Sequence, residues 1–306
     1  MLAVKTLKNS LNIFRRSIWL MGNQFELSVV AKDELWAEEQ ITQAINEINR
    51  VEKLLSAFNS NITDINRNAG IQAVKVNPEI FWLIDRALQI SELTYGAFDI
   101  TYLSGDTQSA PATKNTKTLT KSNYQSVVLN ASAMTVFLKD EGMRISFATN
   151  SKGYAADRAK YILQLQGISS GVINAGGDLL TWGLQPDNEP WTVAAADPEL
   201  QHLPYANLNI SDMCFATALN SNGNTTPVNK MAQKKLSPER GFPVSGIVSM
   251  SVLSPSAEFS AAMANPLISI GVNAGLYLIN KLNQIGCVII DDHQRIYTSK
   301  GITVTE

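Results

Sequence analysis

The chain has 306 residues, of which 45% are hydrophobic and 17% are charged, and its formal net charge is −2. A hydrophobic fraction of this size can form a substantial core, in one large domain or in two ordinary ones. The near-neutral charge excludes the broad basic surface with which proteins bind nucleic acid or anionic membranes, so a phosphate-bearing ligand would need a local site.

The N-terminal residues do not resemble a targeting segment. Lys5 and Lys8 are present, but polar residues interrupt the apolar positions that follow, and no early cysteine could accept a lipid anchor. No run of about 18 apolar residues occurs elsewhere, so we expect no membrane span. We therefore expect a cytoplasmic protein in which residues 1–15 form a poorly ordered N-terminal segment and residues 16–306 form one domain.

The first half of the chain contains one strand and two helices with clear patterns. Residues 24–30 are typical of a strand, and residues 33–58 of a long helix, because their apolar residues recur every three or four positions. A second helix is predicted over residues 78–93, with Pro78 in its first turn. Residues 104–124 are rich in Ser, Thr, Lys and Pro, so we expect a surface excursion there.

The second half alternates predicted strands with predicted helices. The strands are expected at residues 126–129, 134–138, 144–147, 171–174, 191–196, 206–210, 247–253 and 287–291. The helices are expected at residues 151–166, 257–271 and 274–282. This mixture predicts an α+β or α/β fold, a mixed-sheet sandwich with helices in a single large domain.

The cysteines and histidines indicate no reactive centre. Cys214 and Cys287 lie in apolar stretches, which favours two buried thiols over a disulfide. His202 and His293 are far along the chain from every motif described below and have no neighbouring Ser or Cys, so we do not expect a hydrolase triad or a thiol protease.

Gly176, Gly177 and Asp178 follow a short apolar strand. Glycines at such a point let the backbone approach a ligand, and free N–H groups in the turn can bind a phosphate oxygen. The alternative is a plain β-turn. The spacing matches neither the dinucleotide fingerprint nor the Walker A sequence.

Residues 152–157, Lys-Gly-Tyr-Ala-Ala-Asp, stand at a predicted helix N-terminus. The unpaired N–H groups and the helix dipole favour an anion there, and with Lys152 they would form a cradle for a pyrophosphate. The alternative is an ordinary helix start with Asp157 and Arg158 on the solvated face.

Residues 96–99, Gly-Ala-Phe-Asp, come directly after the second predicted helix. Gly96 is a natural stop for that helix. Phe98 and Asp99 could stack on and hydrogen-bond a heteroaromatic ring. The alternative is a core aromatic residue beside a capping acid.

The order and spacing of these motifs resemble the ApbE family, the FAD:protein FMN transferases. The family motifs include Thr-x-Gly-Ala-Phe-Asp-x-Thr, Lys-Gly-Tyr-Ala-x-Asp, a Gly-Gly-Asp turn and Ala-Asp-Ala-x-x-Thr on a late helix. The corresponding stretches are residues 20–23, 56–58 with 60–66, 94–101, 145–146 with 152–157, 176–178, 216–219, 234–243, and 260–262 with Asn265. The resemblance covers nearly the whole chain, from about residue 16 to residue 271.

The resemblance implies an ApbE-like α/β fold that binds FAD and, with magnesium, transfers FMN to a Ser or Thr of a partner protein. It implies no catalytic residue that we can assign. The residues implied to bind the cofactor are Met21, Ala97, Phe98, Asp99, Lys152, Gly153, Asp157, Gly176, Gly177 and Asp178. The implied metal ligands are a main-chain oxygen near Thr149 and the side chain of Asn265, which stands where the family has Thr.

The sequence departs from the family at the phosphoryl-transfer end. Ala261 replaces the metal-binding Asp of the late helix, and Ser146 replaces the Asp that contacts flavin. In the His-x-x-Asp-Pro motif, Lys234 replaces the His and Ser237 the Asp. A hard cation such as Mg²⁺ prefers carboxylate and other oxygen ligands, so magnesium binding is doubtful while FAD binding is expected.

Three hypotheses follow. The chain is an active FMN transferase, or a flavin-binding homologue without transferase activity, or a structural or interaction protein that keeps only the fold. In the second hypothesis Lys234 supplies part of the missing positive charge. The expected partners are a flavin nucleotide and an acceptor protein, with no nucleic acid and no membrane.

Overall fold

An eight-stranded sheet forms the centre of the protein, with strand order β1-β2-β8-β9-β12-β13-β14-β15. The computed structural model describes residues 11–56, 60–103, 123–196, 204–220 and 246–302. Every neighbouring pair in this sheet is antiparallel. Antiparallel pairing with interspersed helices confirms the predicted mixed fold and selects α+β over α/β.

The described residues include six α-helices, fifteen strands and a short 3-10 helix at Tyr124–Ser126. The helices are α1 Glu34–Leu55, α2 Asn61–Arg67, α3 Pro78–Leu93, α4 Ser151–Leu165, α5 Ala257–Ile270 and α6 Val272–Ile279. The strands are β1 Asn12–Leu20, β2 Asn23–Ala31, β3 Val74–Lys75, β4 Thr101–Leu103, β5 Val127–Asn130, β6 Thr135–Leu138, β7 Met143–Ile145, β8 Gly171–Ala175, β9 Asp178–Trp182, β10 Thr192–Ala196, β11 Pro204–Asn209, β12 Cys214–Leu219, β13 Ile247–Ser254, β14 Gly286–Asp291 and β15 Ile296–Thr298.

The central sheet is covered on both faces. On one face α1 packs over β1 and β2, α4 over β8, and α5 over β12 and β13, which together form the main core. On the other face a smaller cluster includes Val193 and Leu208 of the β10–β11 hairpin with Phe215 and Leu253 of the sheet. Alternate residues of β12 therefore enter different cores, because successive side chains of a strand point to opposite faces.

The predicted helices agree closely with the structure. α3 has the predicted bounds, and the long first helix begins after Asp33, whose side chain accepts the Trp36 N–H at 2.7 Å. That helix ends at Leu55, before the predicted end; Phe58 lies outside the described residues, as do residues 104–122 of the expected surface excursion. Cys214 and Cys287 are buried free thiols, as predicted.

Several strands were not predicted, most notably β1. It begins at Asn12, inside the segment 1–15 that the sequence predicted to be poorly ordered, while residues 1–10 lie outside the described residues. Arg15 and Arg16 interrupt its apolar character, and it is an edge strand whose outer face is exposed. The division of the chain at residue 16 otherwise stays a prediction.

Within the described residues, no helix combines the length and the apolar character that a membrane span requires.

Helix α4 crosses α5 at Gly153, in the first turn of α4. A β-carbon added to Gly153 would lie 2.3 Å from the Ala257 carbonyl oxygen and 2.8 Å from the Glu258 nitrogen. Backbone atoms cannot be displaced like a flexible side chain, so only glycine permits this approach. The Lys-Gly-Tyr-Ala motif therefore has a packing role that is independent of any ligand.

We expect Gly153→Ala to lower the free energy of unfolding by about 1–3 kcal/mol, the usual range for overpacking, despite the better helix propensity of Ala. Gly275→Ala in α6 is the matched control, because its nearest neighbour would lie 3.7 Å away. That variant should gain up to about 1 kcal/mol. Urea unfolding measures both changes; an equal gain in the two variants would contradict the crossing geometry.

Candidate functional site

Two tight hairpin turns lie side by side at one end of the central sheet. Met21 and Gly22 connect β1 to β2 with φ of 50° and 70°, and Gly176 and Gly177 connect β8 to β9 with φ of 70° and 108°. Because Phe25 of β2 pairs with Ala175 of β8, both turns project from the same edge. The structure thus brings Met21, Gly176 and Gly177 together, although more than half the chain's length separates the two turns.

The N–H groups of the two glycines already have protein partners. Gly176 donates to the Gln24 carbonyl oxygen at 3.1 Å, and Gly177 donates to Asn174 Oδ1 at 2.8 Å. These two N–H groups are therefore paired within the protein, as in a plain β-turn, and a cofactor contact at Gly176 and Gly177 stays a prediction. Positive φ at both central residues is what a two-residue hairpin needs, which explains the Gly-Gly pair without a ligand.

Asp178 begins β9 next to this turn and lies among strand ends. Its Oδ1 accepts the Thr217 N–H at 3.3 Å, so it joins the hairpin turn to β12, the strand that carries the Ala-Thr motif at residues 216–219. Burial raises the pKa of the Asp178 carboxyl, and the nearby charge of Lys152 opposes this shift. An acid and a cation from two separate motifs thus interact electrostatically near the end of the sheet.

Lys152 lies in the first turn of α4, where the sequence predicts a pyrophosphate cradle. Among the described residues its ammonium group has no hydrogen-bond partner and no ion-pair partner within 4.0 Å. Its side chain is half-buried and stands close enough to Asp178 to lower the pKa of that carboxyl. A half-buried cation of this kind can bind a phosphate oxygen as a point charge.

Phe98 and Asp99 have structural roles. Phe98 is buried in the main core. Asp99 Oδ1 accepts the Thr101 N–H at 2.8 Å, and its Oδ2 accepts the Tyr124 N–H at 2.9 Å. The alternative of a core aromatic residue beside a capping acid fits this geometry, whereas Ala97, between Gly96 and Phe98, is exposed.

A short strand pair connects the segment after Asp99 to the segment before α4. β4 pairs with β7, and Ser146 N–H donates to the Ile100 carbonyl oxygen at 2.8 Å. Asn66, which ends the Ser-x-x-x-x-x-Asn motif, bonds both main-chain groups of Ile145, accepting its N–H at 2.8 Å and donating to its oxygen at 3.1 Å. These contacts bring the motifs at residues 60–66, 94–101 and 145–157 together on one side of the candidate site.

Asp157 does not lie on the solvated face, so the alternative of an ordinary helix start with an exposed acid is wrong for this residue. Its carboxylate accepts hydrogen bonds from Ser256 Oγ at 2.8 Å and from the N–H groups of Ala257 and Glu258, both at 2.9 Å. Burial raises the pKa of Asp157, and these hydrogen bonds oppose the shift. No local pattern indicates this role, because the partners lie at the start of a helix about 100 residues further along the chain.

An ion-pair network that the sequence did not predict surrounds the other face of α4. Tyr154 OH donates to Glu79 Oε1 at 2.6 Å, and Arg50 bonds both Glu79 and Glu47. Arg158 also bonds Glu47, at 2.8 Å. These contacts fasten α4 to α1 and α3, and they leave Lys152 as the polar group of the Lys-Gly-Tyr motif that remains available to a ligand.

The predicted metal positions do not form a site with a carboxylate. Thr149 and Asn265 are exposed and contribute neutral oxygens, and Ala261 is 8% exposed and contributes none. Beside Thr149, the buried amide of Asn150 has no partner for either of its polar atoms within the described part of the chain, but it too is uncharged. These donors do not fit a Mg²⁺ ion that depends on protein carboxylates.

The acid and histidine groups close enough to share an ion lie elsewhere. Within the described ranges such a trio occurs on the β14–β15 turn, at residues 291–293. There Asp291 already pairs with Arg295 at 2.7 Å. Burial raises the pKa of Asp291, but hydrogen bonds from Arg295, His293 and Tyr297 outweigh burial and lower this pKa to about 2. This cluster is a turn stabilised by an ion pair.

The remaining predicted positions have less to contribute. Ser146 Oγ accepts the Ala148 N–H at 3.3 Å, so it shapes its own turn. Lys234 and Ser237 lie outside the described residues. A cavity of about 230 Å³ lies between α3 and α5, but it is lined by Arg86, Gln89, Ile90, Leu93, Ser256, Glu258 and Phe259, none of which was predicted to bind cofactor.

Comparisons with known proteins agree on one family. The family model described as "ApbE family" matches residues 21–289. A protein of Klebsiella pneumoniae named FAD:protein FMN transferase is 25% identical over 301 residues, which cover 94% of this chain and 92% of that protein. The Escherichia coli protein of the same name is 23% identical over 268 residues, covering 82% and 76%.

Solved structures show the same fold. The ApbE protein of Thermotoga maritima has a TM-score of 0.74 at 20% identity, covering 94% of this chain and 97% of its own. The flavin transferase ApbE of Vibrio cholerae has a TM-score of 0.73 at 20% identity, with coverage of 95% and 98%.

We expect Asp178→Asn to stabilise the protein at neutral pH. A carboxyl whose pKa is raised by folding contributes stability that is present below its unfolded value of about 3.8 and is lost as the pH rises through the folded value. Asn keeps an acceptor for the Thr217 N–H and carries no charge to desolvate. The stability gained should therefore be larger at pH 7 than at pH 4.

Urea unfolding of both proteins at the two pH values measures this difference. Asp187→Asn, which makes the same chemical change at an exposed carboxylate that also accepts one main-chain N–H, is the control. A loss of stability in Asp178→Asn that grows from pH 4 to pH 7 would show that the carboxylate is stabilised by Lys152 more than burial destabilises it.

Proposed function

The chain belongs to the ApbE family, and from this premise we propose that it binds FAD and transfers the FMN moiety to a Ser or Thr of an acceptor protein. Its partners in this proposal are a flavin nucleotide and an acceptor protein in the cytoplasm. The family match over residues 21–289 and the names of the relatives support the activity. The observation that carries the proposal is the convergence of the family's motifs near the end of the sheet, where Lys152 has no partner among the described residues.

The transfer is a phosphoryl displacement at the pyrophosphate of FAD. The hydroxyl oxygen of the acceptor attacks the phosphorus on the FMN side, the bond from that phosphorus to the bridging oxygen breaks, and AMP leaves with the bridging oxygen. The hydroxyl proton passes to solvent or to a base that we do not assign. Negative charge grows on the phosphoryl oxygens and on AMP, so a fixed positive charge nearby accelerates the reaction.

In this proposal Lys152 binds the pyrophosphate, and residues around it shape the pocket. Met21 is half-buried and Ala97 is exposed, and in this proposal both contact the flavin directly. Gly153, Asp157, Phe98, Asp99 and the two hairpin glycines hold the walls in place through the contacts described above. Thr149, in the turn before α4, and Asn265, on α5, would present neutral oxygens beside the pocket.

A second candidate function is flavin binding without transfer. Ala261 favours it, because the missing carboxylate removes a charge that would hold magnesium at the departing phosphate. The donors present do not fit the metal, so we derive no step through it. A third possibility, an interaction protein that has kept only the fold, is distinguished from both by its lack of flavin binding.

One incubation separates the three possibilities. The purified protein is mixed with FAD, magnesium and a peptide carrying an acceptor Thr, and AMP release and the peptide mass are followed. Covalent FMN on the peptide supports the transferase. Tight FAD binding without AMP supports the second candidate, and no FAD binding at millimolar concentration contradicts both.

Lys152→Ala should weaken FAD binding about 10- to 100-fold. The loss corresponds to the roughly 1.5–3 kcal/mol typical of a hydrogen bond to a charged group. Lys139→Ala, at an exposed lysine after β6, removes a cation of the same kind and should leave the affinity unchanged. Fluorescence titration of FAD measures both, and equal affinities for wild type and Lys152→Ala would exclude Lys152 from the site.

Ala261→Asp should make the protein respond to magnesium. Without metal, a carboxylate at this buried position should lower stability by about 1–3 kcal/mol. With FAD and Mg²⁺ the loss should be recovered, and any AMP release should rise. Ala264→Asp places the same group at another buried position of α5 and is the control.

Thermal unfolding with and without Mg²⁺ reports the recovery separately from activity. If Mg²⁺ stabilises the two variants equally, or neither of them, then position 261 does not face a metal site and the family alignment of α5 is wrong there.

A further inference from the structure

We propose that Asp157 is a positioning residue, which holds α5 against α4 at the flavin site, and that it does not contact the cofactor. The inference rests on the proposed function, because it assigns a role at that site. It replaces the direct cofactor contact that the family resemblance implied for Asp157. The contacts between Gly153 and Asp157 of α4 and residues 256–258 at the start of α5 are called the α4–α5 clamp below.

Both oxygens of the Asp157 carboxylate are used within the protein. Oδ1 accepts the Ala257 N–H, and Oδ2 accepts the Glu258 N–H and the Ser256 hydroxyl. Three donors at 2.8–2.9 Å converge on one half-buried carboxylate. The protein thus fills three of the roughly four acceptor positions of this carboxylate, which accounts for its presence without a cofactor contact.

The same contacts complete the N-terminus of α5. The first four N–H groups of a helix have no partner within it. Here Asp157 accepts those of Ala257 and Glu258, the Ser256 hydroxyl accepts that of Phe259 at 3.2 Å, and Ser254 Oγ accepts that of Ser256 at 3.3 Å. A carboxylate at this position is also stabilised by the helix dipole. α5 therefore obtains its N-terminal cap partly from α4, which fixes where it begins.

Gly153 and Asp157 act together because they lie four residues apart, on one face of α4. Gly153 allows the two backbones to approach, and Asp157 bonds the helix end that has approached. From the other side, Arg86 of α3 bonds Glu258 Oε2 at 2.8 and 3.1 Å. The first turn of α5 is thus held between α3 and α4.

The position of α5 matters for the proposed reaction. Lys152 precedes Gly153 on α4, while Ala261 and Asn265 follow Ala257 by one and two turns on α5. The α4–α5 clamp therefore sets the separation between the cation and the α5 residues that border the phosphates. In-line phosphoryl transfer is sensitive to displacements of about 1 Å, so a loosened α5 lowers the rate more than the affinity.

The test compares Asp157→Asn with Asp33→Asn. Asp33 caps α1 by accepting the Trp36 N–H, so the control removes the same charge from another helix N-terminus. Hydrogen exchange without flavin should become at least tenfold faster at residues 257–259 in Asp157→Asn and stay unchanged there in Asp33→Asn. Unchanged exchange in both variants would overturn the clamp.

Flavin measurements distinguish positioning from contact. In Asp157→Asn the Kd for FAD should stay within about threefold of wild type, while kcat for AMP release falls about tenfold. A Kd raised tenfold or more with kcat unchanged would make Asp157 a cofactor ligand and overturn the inference. Asp157→Glu, which keeps the charge, should restore part of the lost kcat.

Two outcomes separate this inference from the proposed function. A wild-type protein that binds FAD but releases no AMP contradicts the transferase, and the exchange and affinity results then decide the role of Asp157. A wild-type protein that binds no FAD contradicts both. If Asp157→Asn does not fold, Ser256→Ala removes one of the three donors instead. This variant should show a smaller increase in hydrogen exchange at residues 257–259 and a smaller fall in kcat.

Discussion

The contact between Asp157 and the N-terminus of α5 is the constraint on which the site depends. α5 packs on β12 and β13, and α4 packs on β8 and α1, so the contact joins the two halves of the helical layer. It uses a charged acceptor in a largely buried position, where such a group is tolerated only because three donors satisfy it. With α5 fixed, the residues that border the proposed phosphate site have defined positions relative to Lys152.

Several residues that the family resemblance assigned to cofactor binding are explained by folding alone. Gly176 and Gly177 make a two-residue hairpin turn, Asp99 caps two main-chain N–H groups, and Phe98 fills the core. Such roles do not exclude a ligand nearby, since a rigid turn also presents its outer edge. They mean, however, that these residues would persist in a protein that had lost its chemistry, so their presence is weaker support for activity than Lys152.

The sequence predicts well those helices and strands whose bounds are determined by residues within the same segment. α3 was predicted at its observed bounds because Pro78 and the apolar spacing lie within one segment. β1 was missed because Arg15 and Arg16 hide its alternation, and a strand at an exposed edge needs few apolar residues. The role of Asp157 could not be predicted, because its partners are about 100 residues away and only the fold brings them together. The absence of a carboxylate at Ala261, in contrast, was visible in the sequence.

We propose that the chain keeps a flavin site whose phosphate end relies on Lys152 and not on a metal held by carboxylates. The most direct measurement is the FAD affinity of the wild-type protein with Mg²⁺ and with excess chelator. We expect measurable binding in both conditions, with Kd values within about threefold of each other. A Kd that rises tenfold or more on chelation, or no binding in either condition, would contradict it.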